Sequence, residues 1–218
     1  MTRREFIGGC TAVAASAALG KPRRSSIGGR RDYGSRNGLP YDSEIEYLES
    51  TVTQYIDAGI GYFADFECTI RLRSSVPNKA IGIGRSDCLQ RASATNPVWS
   101  FSVNNTTWTS AIPITEWHTV SWKDGVVSCD GYVVNPNCPK PYMRGTMQLF
   151  GVSGATYPNM IARCILFDID GTVVRDFIPV KFTNKIGETE GALFDRATGK
   201  MHYNAGSGKF IVGPDKGI

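Results

Sequence analysis

Asp168 and Asp170 are the residues whose type and spacing most directly suggest chemistry. They follow an apolar run, Cys164-Ile165-Leu166-Phe167, and lead into Gly171 and Thr172. Two carboxylates this close can serve as nucleophile, acid or base in a group-transfer reaction. The same residues also spell a β-hairpin, with Asp170-Gly171 supplying the two residues of a tight turn between strands. The elements on either side decide between these readings.

The run Asp168-Ile169-Asp170-Gly171-Thr172 resembles the nucleophile strand of haloacid-dehalogenase-type phosphatases. The resemblance implies attack on phosphorus by Asp168, proton transfer by Asp170, and a Mg²⁺ beside both. That chemistry requires a parallel sheet with crossover helices, which bring further catalytic residues from later strands. Only 50 residues follow Asp168; they include Gly171, Gly187, Gly191, Gly199, Gly206, Gly208 and Gly213, and no window of helical period. A short motif without its structural context is weak evidence. The hairpin is the expectation carried forward.

Period-two alternation dominates from Tyr47 onward. Phe66-Glu67-Cys68-Thr69-Ile70-Arg71-Leu72-Arg73 places apolar residues on one face and polar ones on the other, the mark of a half-buried antiparallel strand. Trp99-Ser100-Phe101-Ser102-Val103 repeats the pattern, and Ile161-Ala162-Arg163-Cys164-Ile165 repeats it more weakly. Turn signals fall at Asp124-Gly125, Asp130-Gly131, Asp170-Gly171 and Thr198-Gly199, and residues 120–129 read as one hairpin. Pro136, Pro139 and Pro141 fall in one long loop. Many short strands at this spacing predict an all-β antiparallel sandwich of jelly-roll type with one core.

Two segments resemble LamG-like, concanavalin-A-like domains of gut-bacterial and phage type. One is residues 46–59, Glu46-Tyr47-Leu48-Glu49-Ser50 through Ala58-Gly59. The other includes Val174-Arg175-Asp176-Phe177-Ile178-Pro179-Val180, residues 191–200 and Tyr203 to Phe210. The resemblance implies a jelly-roll domain over residues 40–214, with an Asp/Asn-Gly hairpin just before the Arg-Asp-Phe-Ile-Pro segment. Related sandwiches include endo-glucanases with Glu-x-Asp-x-x-Glu on one strand, and no such run occurs here. Glu44, Glu46 and Glu49 are expected on an edge strand, and Glu188 and Glu190 in a loop, all as solvated faces. Domains of this kind often hold Ca²⁺, but no residue here matches such a site; no cofactor is expected.

His118 and His202 stand far apart without a patterned nucleophile, and His118 reads as a polar strand position rather than a base. For sugar recognition, Asn104, Asn105 and Trp108 combine a flat ring with amides in an expected hairpin tip or loop. Trp99, Trp117 and Trp122 read as packing residues.

Residues 1–20 resemble a twin-arginine signal, with Arg3-Arg4 ahead of an uncharged, Ala-rich run from Gly8 to Leu19. That run is too short to span a membrane comfortably. Residues 21–39 read as a basic Gly/Ser/Arg-rich linker. Residues 1–36 carry eight of the 24 Lys/Arg and two of the 20 Asp/Glu, so residues 37–218 hold 16 basic and 18 acidic side chains, a net of −2. A body without positive excess excludes phosphate-driven nucleic-acid binding.

Removal of the signal leaves Cys68, Cys88, Cys129, Cys138 and Cys164, an odd number without a C-x-x-C spacing. Neither a zinc site nor a full disulfide framework is suggested, and buried free thiols are expected. Cys129 and Cys138 are the best candidates for one optional bridge. The sequence therefore predicts an exported, non-catalytic recognition module in the periplasm or at the cell surface, with a glycan or an envelope protein as partner. Replacing Arg3 and Arg4 together by Lys should strand precursor in the cytoplasm, because the paired guanidinium groups carry the signal. Fractionation with immunoblotting reads this directly, and unchanged export would refute the assignment.

Overall fold

The structure is a computed structural model. It describes residues 38–61, 65–71, 116–135, 137, 147–151 and 158–217 with their side chains. Residues 72, 79–83, 87–91, 98–103, 106–113, 152 and 155–156 are described as backbone strand only. Arg3, Arg4, Asn104, Asn105 and Cys138 lie outside the described residues.

All elements among the described residues are strands. The first six are β1 (Ser43–Glu44), β2 (Leu48–Ser50), β3 (Ile56–Asp57), β4 (Asp65–Leu72), β5 (Lys79–Ile83) and β6 (Asp87–Arg91). Then come β7 (Val98–Val103), β8 (Thr106–Pro113), β9 (His118–Lys123), β10 (Val126–Cys129), β11 (Tyr132–Asn135) and β12 (Met147–Leu149). The series closes with β13 (Gly151–Val152), β14 (Ala155–Thr156), β15 (Asn159–Phe167), β16 (Val173–Thr183), β17 (Thr189–Asp195), β18 (Lys200–His202) and β19 (Ile211–Val212).

These strands form an antiparallel β-sandwich. The large sheet runs β11-β10-β9-β4-β15-β16-β17-β18, with β1 on β16, and β2 between β15 and β19. The second sheet runs β3-β12-β5-β6-β7-β8, and β13 and β14 form a short ribbon. Ile56, Met147 and Leu149 of the second sheet join Phe66, Cys68, Ile70, Val120, Trp122, Cys164, Leu166 and Phe177 of the large sheet in one buried cluster. Burial of these side chains is the main term holding the sheets face to face. Ile178, Val180, Ala192 and Phe194 form a second cluster under Tyr41, Phe182 and Met201. Ile45 bridges Asp215, and the Lys216 N–H donates to the Glu44 carbonyl, so ordered pairing runs past residue 214.

The weak alternation at residues 161–165 has a physical cause. A bulge lies between Ile161 and Arg163 in the β15–β4 pairing. One extra residue shifts the parity of the strand, so Ile161 and Cys164, three positions apart, both enter the core.

The Asp-Gly pairs divide into two turn classes. At residues 124–125 and 130–131 both members have positive φ (51° and 76°, then 51° and 79°). Each joins directly paired strand ends, Lys123 with Val126 and Cys129 with Tyr132, as a type I′ turn does. Asp170-Gly171 is a hairpin turn as expected, but not the expected two-residue one. The Gly171 N–H donates to the Asp168 carbonyl (3.0 Å), the Asp168 N–H donates to the Thr172 carbonyl (2.8 Å), and Gly171 alone has positive φ (81°). This is a type I turn extended by a glycine bulge. The Asn184–Glu188 connection repeats the same hydrogen bonds. Asp168 and Asp170 thus join antiparallel strands, and the Asp170 carboxylate accepts the Thr172 N–H at 2.9 Å.

Two expectations about carboxylates are corrected. Glu49 is buried rather than solvated, because β2 is flanked on both sides by β15 and β19. Glu190 is the second residue of β17 instead of lying in a loop.

Two glycines separate backbone strain from steric exclusion. A Cβ at Gly171 meets no atom within 4 Å, whereas one at Gly206 would lie 2.0 Å from the Thr53 carbonyl oxygen. Gly171→Val should cost about 1–2 kcal/mol through its left-handed backbone alone. Gly206→Ala should cost about 3 kcal/mol, because two backbone segments must separate. Denaturant midpoints of the two variants test this order, and a milder effect at Gly206 would contradict the close approach.

Candidate functional site

The segment from Tyr203 to Phe210 leaves β18 and crosses to β19 over residues 51–55. The Ala205 N–H donates to the Tyr55 carbonyl (2.9 Å), and the Ser207 N–H to the Thr53 carbonyl (3.1 Å). Asn204 acts as an internal brace: its Oδ1 accepts from the N–H groups of Tyr55 and Gly206, and its Nδ2 donates to the Gly208 carbonyl. Beneath it, buried Gln54 accepts the Thr51 N–H (2.8 Å) and the Thr51 hydroxyl (3.1 Å). With these groups paired, the segment is held without help from a ligand.

Above this floor opens a cleft of about 260 Å³, lined by Phe182, Glu190, Tyr203, Asn204, Lys209 and Phe210 among others. Tyr203 stands edge-on to Phe182 with ring centroids 5.2 Å apart, yet remains 54% exposed. Phe210 turns inward and packs on Phe150 at 4.9 Å.

The polar rim is mutually held. Lys209 Nζ donates to Glu188 (2.5 Å) and lies 3.8 Å from Glu190, which also accepts from Asn184 Nδ2 (2.7 Å). The Lys209 hydrogen bond keeps the Glu188 carboxyl below its ordinary value, and Glu188 in turn keeps the Lys209 ammonium above its own. Two carboxylates thus share one ammonium at this end of the cleft. Such a cleft can lay the Tyr203 ring against an apolar ligand face, while Glu190 and Lys209 meet hydroxyl groups.

A second cluster lies at the far side of the large sheet. His118 Nδ1 is 2.6 Å from Asp130 Oδ2, Asp130 Oδ1 accepts the Thr119 N–H (2.8 Å), and Cys129 brings its thiol within 4.8 Å of both side chains. His118 opens β9 as a half-buried strand position, in the same alternation as Val120 and Trp122. A divalent ion bound here would have to break the His118–Asp130 contact. It would also have to take a proton from a thiol that burial, and then the Asp130 charge, push up to about 12. The mixed N, S and O donor set is unlike the all-oxygen shell of Ca²⁺. In this structure the cluster pins the turn at residues 130–131 to the start of β9.

Of the residues expected to bind a ligand, Trp108 lies on β8, paired with Phe101, and not in a hairpin tip. Asn104 and Asn105 lie outside the described residues. Trp122 is buried, and Trp117 stacks on Tyr47 at 5.7 Å. The cleft is thus built from residues that sequence reasoning had used only for the closing strands. Its signal was Gly206 and Gly208 between Tyr203 and Phe210, a tight crossing flanked by aromatic rings.

The fold defines an all-β antiparallel sandwich with one aromatic-lined cleft among its described residues. Comparison with protein-family models, with curated proteins and with solved structures finds no match to this chain.

The Asp130 carboxyl gives the far cluster a pH signature. Burial pushes it up, but hydrogen bonds from His118 and the Thr119 N–H outweigh burial, and the net shift is downward. A lowered folded value stabilises above the ordinary carboxylate range, and that contribution is lost as pH falls through the folded value. Asp130→Asn should therefore be less stable than the native chain at pH 7, by about 1 kcal/mol or less because Asp130 is 42% exposed. The two should converge once pH has fallen below the ordinary carboxylate range and through the folded value. Thermal midpoints across that range check this, and a gap that persists in acid would contradict it.

Proposed function

We propose that this protein is an exported, non-catalytic recognition module of LamG-like, concanavalin-A-like type, acting in the periplasm or at the cell surface. Its ligand is a neutral glycan, taken in the cleft beside Tyr203. The observation that carries this reading is the half-exposed Tyr203 ring, fixed against Phe182 in a cleft that Glu190 and Lys209 also line. An aromatic ring covers the CH face of a sugar, and charged or amide neighbours read its hydroxyls. The Glu190 carboxylate in the cleft lining disfavours acidic sugars by like charge. The braced 203–210 segment reduces the ordering cost of binding. The rim carboxylates support binding over hydrolysis, since Glu188 and Glu190 are engaged by Lys209 and Asn184 rather than set on opposite sides of a bond to be cleaved.

A second reading rests on another observation. Tyr132 and Val133 are 75% and 60% exposed on β11, at one end of the described order of the large sheet. Exposed apolar residues on an outer strand suit docking of another protein segment.

A glycan array probed with the full chain tests the first reading. Binding to neutral glycans is expected, with Tyr203→Ala weakening it about 10-fold or more at an unchanged thermal midpoint. Absence of any glycan ligand, or binding indifferent to Tyr203→Ala, would overturn it.

A further inference from the structure

Cys68 and Cys164 are buried, free, and directly opposed on β4 and β15. Antiparallel partners project their side chains to the same face, and both residues belong to the core cluster. Their backbone positions suit a covalent bond: opposed antiparallel residues have Cα atoms about 4.5 or 5.5 Å apart, inside the window of about 4.4–6.8 Å that a disulfide requires. The two thiols also touch. Burial first, and then the Cys164 thiol beside it, push the Cys68 thiol well above its ordinary value.

We propose that Cys68 and Cys164 are a site of oxidative modification, at which a small-molecule disulfide converts the thiol pair into a cross-strand disulfide between β4 and β15. One cysteine thiolate attacks the small disulfide, forms a mixed disulfide and releases one small thiol. The second cysteine thiolate then displaces the other half. Two electrons and two protons pass from the cysteines to the small disulfide, which leaves as two thiols, and one S–S bond replaces another.

Among the described cysteines the fold selects this pair. Cys129, Val120, Cys68 and Cys164 are register partners in turn across β10, β9, β4 and β15. Cys129 therefore lies two strand spacings from Cys68, about 9–10 Å, beyond the reach of about 7 Å. Cys88 is on β6 in the other sheet, and facing sheets stand about 10 Å apart. Because neither thiol is exposed, exchange occurs while the β4–β15 pairing is open, during folding or local unfolding. The modification is thus fast on the folding chain and slow on the native one. It would covalently join the two strands at the middle of the large sheet.

The test refolds the full reduced chain in a mixture of oxidised and reduced glutathione, followed by non-reducing digestion and mass spectrometry. A linked peptide pair containing Cys68 and Cys164, absent after reduction, is expected. The oxidised chain should melt about 5–15 °C above the same chain under reductant. Cys68→Ala with Cys164→Ala should abolish that redox-dependent difference. Should the double variant fail to fold, the oxidised and reduced native chains still provide the comparison. Both cysteines recovered as alkylated free thiols, a linkage of Cys68 or Cys164 to any other cysteine, or equal melting in the two redox states would overturn the proposal.

Discussion

A carboxylate wholly removed from water, Asp195, constrains how the C-terminal half of the sandwich is assembled. An ionised group in such a place is tolerated only when its lone pairs are taken by fixed donors. Here the Asp176 and Ala197 N–H groups and the Thr198 hydroxyl all donate to it, and Arg175 Nε lies 3.6 Å away. These partners set the path of the chain from β17 into the turn before β18. Arg175 then reaches the carbonyls of Ala58 and Gly59, which ties the segment after β3 to the large sheet. The His202 ring adds a second tie through the Asp57 carbonyl and an edge contact with Phe177. Loss of the carboxylate would strand buried N–H donors as well as an arginine.

The cleft depends on that assembly. Its wall is β17, its floor is the segment that leaves β18, and its polar rim lies at the connection from β16 to β17. The outer cluster of Ile178, Val180, Ala192 and Phe194 holds Phe182 where Tyr203 can lean on it. Packing inside the sheet pair and the cleft outside it therefore use the same three strands. In the far cluster Cys129 belongs to the core, while His118 and Asp130 fasten a tight turn at the opposite side of the sheet.

Local signals were legible because they depend on neighbours in the chain. Alternation over residues 66–73 marked β4, and Asp-Gly pairs marked three hairpins. The turn class was less legible. The same dipeptide closes a two-residue loop at residues 124–125 and a longer bulged one at 168–172, because register with the partner strand decides how many residues remain unpaired. The faint pattern of β15 has the same origin, since a bulge breaks parity in a way no alternation template anticipates. Glu49 was misread because an acidic residue in a three-residue strand gives no local sign of being covered from both sides.

The sequence by itself determined an all-β chain, the positions of most strands, and the absence of a helical frame around Asp168 and Asp170. These follow from side-chain period and turn chemistry, which act over a few residues. Tertiary structure alone decided that Cys68 meets Cys164, that Asp195 is sealed from water, and that Tyr203 rather than Trp108 lines the described cleft. Each of those outcomes needs two segments far apart in the chain to pair in one register. That pairing is chosen by the burial of the whole core, which no local window contains.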